Sequence, residues 1–343
     1  MNSAAIGLDR LEHSQVCDAD AELVIPGDGE NGFPMCWYAV CKSSDVPDGL
    51  IFETPFLGGN VVVWRSTRGR LNVQTAYCAH MGANLANGRI VGETIECGFH
   101  HWCYDTGGKC VYIPSTDNIP AKARLFSYPT VETQGLIWAF NGAEPDLDIP
   151  LPLTVDNIDD YWIAVQDDVH EMQLPHYAQM LNIVDFQHFQ YVHDMAMTDG
   201  FPPKDAVLTI DDHSFGFSYK WGEVDTHWRM TGTSILNITF EGPGALFELV
   251  NLMATTPIPG GRHKVYGVGF KRKRADTPED RARADAEWVA TKPMEDATFK
   301  QDEDVMRDWH LRARNLVPAD VWQRRMLEFI RDYPRADPAE GYQ

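Results

Sequence analysis

The stretch Cys78-Ala-His80, followed sixteen residues later by Cys97-Gly-Phe-His100, carries two thiols and two imidazoles as two short pairs. Each pair is compact enough to occupy one tight loop. The donor set suits a [2Fe–2S] cluster with both thiolates on one iron and both imidazoles on the other. That substitution removes negative charge and raises the reduction potential above that of an all-Cys cluster. A tetrahedral zinc site uses the same four donors, so the surroundings decide between the two. Gly82, Gly88, Gly92 and Gly98 lie on or between the loops, where backbone amides must approach bridging sulfides. Residues 101–110, His-Trp-Cys-Tyr-Asp-Thr-Gly-Gly-Lys-Cys, read as a strand, a Gly-Gly turn and a second strand. Both features favour iron–sulfur.

Working outward, β-rich runs at 33–41, 50–57, 60–65, 71–76 and 135–140 are separated by turn text at 46–49 and 58–59. The pattern predicts a small all-β domain over residues 33–147, after a polar, irregular leader at 1–32. The boundary falls in Pro- and Asp-rich text at 143–152. Residues 148–343 read differently. Helical character at 170–193 precedes alternating strands at 206–210, 214–221, 233–240, 245–253 and 263–271. A helix opens at Thr277-Pro278, with Thr as N-cap and Pro in the first helical position. It is expected to break at Pro293, resume over 294–314, and give way to a last helix at 318–332. The fold class predicted is α+β: an N-terminal all-β domain carrying the cluster, then an antiparallel sheet wrapped by helices.

Lys and Arg number 29 against 50 Asp and Glu, a net charge of −21, so phosphate-rich partners are excluded. Lys271, Arg272, Lys273 and Arg274 form a short basic run that reads as a solvated strand end; docking of an acidic electron donor is the other reading. No apolar run approaches the ~18–20 residues of a membrane span, and the leader lacks the apolar segment of a signal peptide. Of seven Cys, five lie outside the motif. Cys103 and Cys110 flank the Gly-Gly turn and could face each other, but without an export signal free thiols in a reducing cytoplasm are expected.

A second constellation is Asn182-Ile-Val-Asp185-Phe-Gln-His188-Phe-Gln-Tyr-Val-His193. Two His five apart diverge by 140° on a regular α-helix, at 100° per residue. They converge through a π-type turn, or if His193 lies just past the helix end. Alone the pair is weak. A cluster that passes single electrons, however, needs an acceptor, and an iron held by two His and one carboxylate is such a site. Asp302 is the preferred carboxylate, on the resumed helix after Met294 and Phe299; Glu303 and Asp304 are neighbouring candidates, and a surface acidic run is the plain alternative. Asp185, three residues before His188, could accept that ring's free N–H and orient it, or merely cap locally. Asn182 lies one turn before Asp185 and is expected to face the iron without binding it.

Together the two motifs resemble the oxygenase component of Rieske non-haem iron oxygenases over residues 35–330. The resemblance implies a Rieske [2Fe–2S] domain held by Cys78, His80, Cys97 and His100, and a helix-grip catalytic domain binding Fe(II) through His188, His193 and Asp302. It also implies O2 as co-substrate and a head-to-tail homotrimer in which Asp185 bridges to a cluster His of the next subunit. Two positions depart from the family's common Pro-Tyr-His-Gly-Trp: Phe99 lacks a hydroxyl, and His101 stands where Gly is usual. The respiratory Rieske branch is excluded by Ala83, Phe99 and His101, where it carries Cys, Cys and Ser.

No Gly-x-Gly-x-x-Gly follows any strand, so a separate ferredoxin or flavin reductase is the expected electron source. Apolar residues Leu236, Ile238, Phe240, Leu246, Phe247, Leu249, Leu252, Met253, Val265, Val268 and Phe270 suit a deep pocket for a small apolar substrate. The chain resembles the single-subunit branch that includes ketosteroid hydroxylase components, so C–H hydroxylation of a bulky, steroid-like molecule is expected. Oxidative O- or N-demethylation, and a Rieske electron carrier without oxygenase activity, are the alternatives.

Overall fold

A computed structural model describes residues 4–7, 23–152, 154–195, 203–242 and 249–342. The chain divides into two compact units. The cluster unit comprises Asp28–Asp148, Thr256–Gly261 and Pro334–Gln343; the sheet unit comprises Ile149–Thr255, Arg262–Tyr333 and the described residues of Met1–Gly27. The division is thus not linear: two short segments far along the chain count with the first unit. Asn141 ties one of them in, its amide donating to the Ala336 carbonyl at 2.9 Å.

The cluster unit is built from small antiparallel sheets. Ile51–Phe56, Gly59–Arg65, Leu71–Thr75 and Ser127–Tyr128 are neighbours in one; Trp37–Lys42, Leu136–Phe140 and Thr130–Thr133 form another. Val61, Val62, Val63 and Trp64 are all fully buried, so their strand is covered on both faces and reads as a continuous apolar run. A third sheet orders Arg89–Val91, Thr94–Glu96, Cys103–Asp105 and Cys110–Tyr112; the loop of Cys97 and His100 joins its second and third strands, and the loop of Cys78 and His80 leads into it from Leu71–Thr75. Gly92, at φ 59, makes the turn of its first hairpin. Cys103 and Cys110 do not face each other. The register sets Cys110 opposite Tyr104 and Tyr112 opposite Cys103, and both thiols are free.

The sheet unit centres on nine antiparallel strands. Their order is Ala4–Gly7, Val207–Ile210, Ser214–Trp221, Val224–Thr231, Ile235–Glu241, Leu249–Ile258, Arg262–Arg272 and Tyr161–Val165, with His170–Met172 also pairing onto Arg262–Arg272. Four helices accompany it: α1 (Ala178–Ile183), α2 (Phe186–Tyr191), α3 (Pro278–Met306) and α4 (Val321–Asp332). Trp322 on α4 is fully buried and meets Phe186 edge-on at 5.2 Å, which fixes the start of α2.

Several expectations need correction. Ala4–Gly7 is an edge strand paired with Val207–Ile210, not irregular leader; an open sheet edge recruits any extended segment within reach. His170–Met172 is a strand, because pairing with Arg262–Arg272 outweighs local helical text. Pro293 does not break α3. Proline removes one N–H and frees the carbonyl four residues back, at Val289, a residue 73% exposed and so open to solvent. Strands Tyr161–Val165 and Val224–Thr231 were missed; the second alternates strictly, with Val224, Thr226, Trp228 and Met230 buried. Thr277 caps α3, its hydroxyl accepting from the Asp280 N–H at 3.3 Å.

Candidate metal centres and cavity

In the cluster unit Cys78 and Cys97 are buried, while His80 and His100 reach towards the surface with ring centroids 4.7 Å apart. Tight backbone bonds shape both loops: Gly82 N–H donates to Cys78 O, and His101 N–H to Cys97 O, at 2.9 and 3.0 Å. Gly82, at φ 74, takes the left-handed turn the first loop needs. Gly88 and Gly98 serve close packing of one loop on the other. A Cβ on Gly98 would fall 2.5 Å from the Asn87 carbonyl oxygen. Trp102 stacks on His80 at 4.3 Å, and the Tyr104 hydroxyl lies 3.0 Å from Cys78 Sγ. Burial pushes the Tyr104 pKa upward, so this hydroxyl stays protonated as a donor to the sulfur. Two buried sulfurs beside two outward imidazoles fit a [2Fe–2S] group with its His-bound iron nearer the surface.

The two departures from the common motif have structural readings. Phe99 is 62% exposed with its ring against His100 at 3.8 Å, so it covers the outer ligand. His101 adopts φ 57, a conformation glycine takes freely and other residues only at a cost of ~1 kcal/mol or more. Its ring is held by Glu96, Nδ1 lying 2.8 Å from Oε1, and Arg89 Nε donates to the same oxygen at 2.7 Å. That bracing lowers the Glu96 pKa, first through His101 and then Arg89. Cys103 Sγ also donates to Glu96, and burial foremost pushes that thiol up to about 11.

In the sheet unit His188, His193 and Asp302 each offer one ligand atom, all within 4.8 Å of one another. α2 stops at Tyr191, so His193 lies just past the helix end and swings back towards His188. Their rings sit 5.1 Å apart at 77°. His188 Nδ1 donates to the Asp185 backbone carbonyl, and His193 Nδ1 to Gln301 Oε1 at 2.8 Å. Both imidazoles therefore present a bare Nε2. His193 Nε2 lies 3.1 Å from Asp302 Oδ1, and His188 Nε2 3.8 Å from it. His193 Nε2 and Asp302 Oδ1 are buried and have no hydrogen-bond partner among the described residues. Two acceptors so close repel unless a cation lies against both, which is what two imidazoles and a carboxylate fit. Burial lowers the pKa of His188 and favours the neutral, ligating ring.

Asp185 is placed differently from the expected orienting role. Its carboxylate caps α2, accepting from the N–H groups of Gln187 and His188 at 3.1 and 3.4 Å, while its carbonyl, not its side chain, takes the His188 ring proton. Burial raises its pKa. Asn182 Nδ2 approaches His188 Nε2 at 3.4 Å. The supporting roles of Gln301 and Tyr104 are not legible in the sequence. Glu303 and Asp304 point to Lys300 instead.

The three ligand side chains open onto a cavity of about 360 Å³. Leu236, Ile238, Phe240, Leu252, Met253, Val265 and Val268 line it with Phe189, Trp221, Trp228 and Phe299. Phe270 is fully buried elsewhere in the core; Leu246, Phe247 and the Leu249 side chain lie outside the described residues. The basic run is largely self-neutralised, with Glu287 meeting Lys271 and Arg274 and Asp276 meeting Lys273. Among the described residues no helix is long and apolar enough to cross a membrane.

Comparison with known proteins gives the class: residues 36–129 match the Rieske [2Fe–2S] domain. NdmA of Pseudomonas putida CBB5, solved as the QL mutant with theobromine, superimposes with a TM-score of 0.71 at 19% identity, over 86% of this chain and 89% of that one. The chain thus carries a Rieske domain and shares the fold of that solved structure. More particularly, it is a homologue of 3-ketosteroid-9-alpha-monooxygenase oxygenase components. One from Rhodococcus rhodochrous is 31% identical over 172 residues, 49% of this chain and 46% of that protein. Cholesterol 7-desaturase of Caenorhabditis elegans is 30% identical over 277 residues, 74% of this chain and 63% of its own length. The matches to these two relatives therefore span less than two thirds of either.

Proposed function

We propose that this chain is the oxygenase component of a Rieske non-haem iron monooxygenase that hydroxylates a C–H bond of a bulky apolar, steroid-like molecule. The observation that carries the reading is the convergence of His188, His193 and Asp302, with two orphaned ligand atoms, at one side of an apolar cavity. Bound there, iron supplies oxygen activation, with electrons arriving one at a time through a [2Fe–2S] cluster on Cys78, His80, Cys97 and His100. The chain's own residues do the positioning. Gln301 and the Asp185 carbonyl fix both His tautomers, so that each Nε2 faces the metal position. Asn182 offers an amide N–H beside His188. Aromatic and aliphatic walls hold the substrate and exclude water.

One oxygen atom enters the C–H bond and the other leaves as water, which takes two electrons and two protons. A separate ferredoxin or flavin reductase supplies the electrons in this reading, as the phrase "oxygenase component" in the relatives' names suggests. A homotrimer with Asp185 at the junction, and a cytoplasmic location, complete it. In the test, His188→Ala lowers iron from about three to about two per chain and abolishes substrate-dependent O2 uptake. About two irons per chain in the unaltered protein, with no substrate-dependent uptake for His188→Ala to remove, would leave a Rieske electron carrier. Formaldehyde among the products would identify a demethylase instead.

A further inference from the structure

The cavity has a polar end as well as a metal end. Glu295, Thr298, Phe299 and Asp302 all line it from α3. Residues seven apart on a helix share a face, two turns and ~10 Å distant along its axis. Glu295 therefore stands ~10 Å from the metal ligand Asp302 on the same wall. Gln166 Nε2 donates to Glu295 Oε2 at 3.4 Å. Gly267 makes room for that amide: a Cβ there would fall 2.4 Å from Gln166 Cδ. An amide that gives its N–H to the carboxylate turns its oxygen outward, so Glu295 and Gln166 both present acceptors at this end.

Charge points the same way. Among the described residues the cavity is lined by Glu295, Asp296 and Asp302 and by no Lys or Arg. Asp296 is matched by Lys292 at 3.1 Å, and Asp302 faces the two His. Among the described residues Glu295 makes no ion pair, and Lys292, which feels its charge at longer range, is taken by Asp296. A carboxylate substrate would meet an unpaired like charge at this end.

We propose that the cavity selects a polycyclic apolar molecule bearing a hydroxyl at one end, its proton donated to Glu295, with the oxidised carbon ~10 Å away beside the His–His–Asp group. The inference rests on the oxygenase reading and deepens it: an alcohol is preferred to the corresponding ketone, and a carboxylate is rejected. The experiment titrates the anaerobic, iron-loaded protein with four compounds of one steroid skeleton: alcohol, ketone, methyl ether and carboxylate. Quenching of Trp221 and Trp228 in the cavity wall reports binding. The alcohol should bind about tenfold tighter than ketone or ether, the scale of a hydrogen bond to a charged acceptor, with the carboxylate weakest. Glu295→Gln should bring alcohol and ketone within about twofold of each other at unchanged iron content, and Gln166→Leu should narrow the gap partway. Equal binding of alcohol and ketone to the unaltered protein, or a preference that survives Glu295→Gln, overturns the inference and leaves the oxygenase reading standing. Failure of all four to bind a fully iron-loaded protein overturns the steroid-like reading and this inference with it.

Discussion

The two candidate metal centres reach convergence by opposite routes. The candidate cluster ligands span 23 residues on two loops close in sequence, and glycines let those loops touch backbone to backbone. The candidate mononuclear set draws His188 from within a six-residue helix, His193 from just past its end, and an Asp more than a hundred residues later, on α3. A site made of short-range turns is fixed by local backbone geometry. One made across the fold depends on partners that hold each ligand in place, here Gln301, the Asp185 carbonyl and the packing of Trp322 on Phe186.

That contrast is broken most sharply by removing ligands from one centre at a time. Cys97→Ser should eliminate the visible and paramagnetic signature of the cluster while the mononuclear iron is retained. Asp302→Ala should do the reverse, with activity falling by more than the 10–100-fold that loss of an outer partner costs. Metal analysis with electron paramagnetic resonance reads both. If either substitution empties both centres, the independence argued from the geometry is wrong.

A gentler test addresses the supports. Gln301→Leu leaves all three ligands in place but removes the acceptor for the His193 Nδ1 proton. Affinity for iron should fall by about 10–100-fold, measured by chelator competition. Its counterpart in the cluster unit is Tyr104→Phe, which deletes the hydroxyl 3.0 Å from Cys78 Sγ. A donor to that sulfur stabilises the reduced, more negative cluster, so its loss should lower the potential by about 60 mV, equivalent to ~1.4 kcal/mol for one electron. Iron content should not change. An unmoved potential would mean that the hydroxyl only packs.

The same contrast explains what could be read beforehand. The cluster motif was legible because its chemistry lies in consecutive text. The pair His188 and His193 was visible too, but whether the rings converge depends on where α2 stops, which no spacing states. Asp302 was preferred for its place after Met294 and Phe299 on an expected helix, but among three adjacent acids only the facing of α3 separates it from Glu303 and Asp304, which turn to Lys300. Tyr104 and Gln301 were invisible, since an aromatic in a strand and an amide on a helix suit a core and a surface equally well. Val224–Thr231, by contrast, carried a plain alternating signal. Pro293 misled because local propensity was weighed without knowing that the helix is solvent-exposed one turn before it, at Val289.

The smallest effect concerns how the cluster unit stands apart from its metal. Arg65, ending the strand Gly59–Arg65, makes two 2.8 Å bonds to Glu132 in Thr130–Thr133 and joins two of the unit's sheets. The guanidinium holds the Glu132 carboxyl below the usual range, despite some opposing desolvation. A group whose folded pKa is depressed contributes stability above its unfolded value and loses it as pH falls through the folded one. With an unfolded Glu near ~4.3, the pair is fully effective at pH 7 and fades in acid. Glu132→Gln should therefore cost below ~1 kcal/mol at pH 7, the range of partly exposed ion pairs, and the gap from the unaltered protein should close as pH drops towards 3. Thermal unfolding at a series of pH values measures that gap; one that stays constant would show that Arg65 and Glu132 are held by packing rather than by charge.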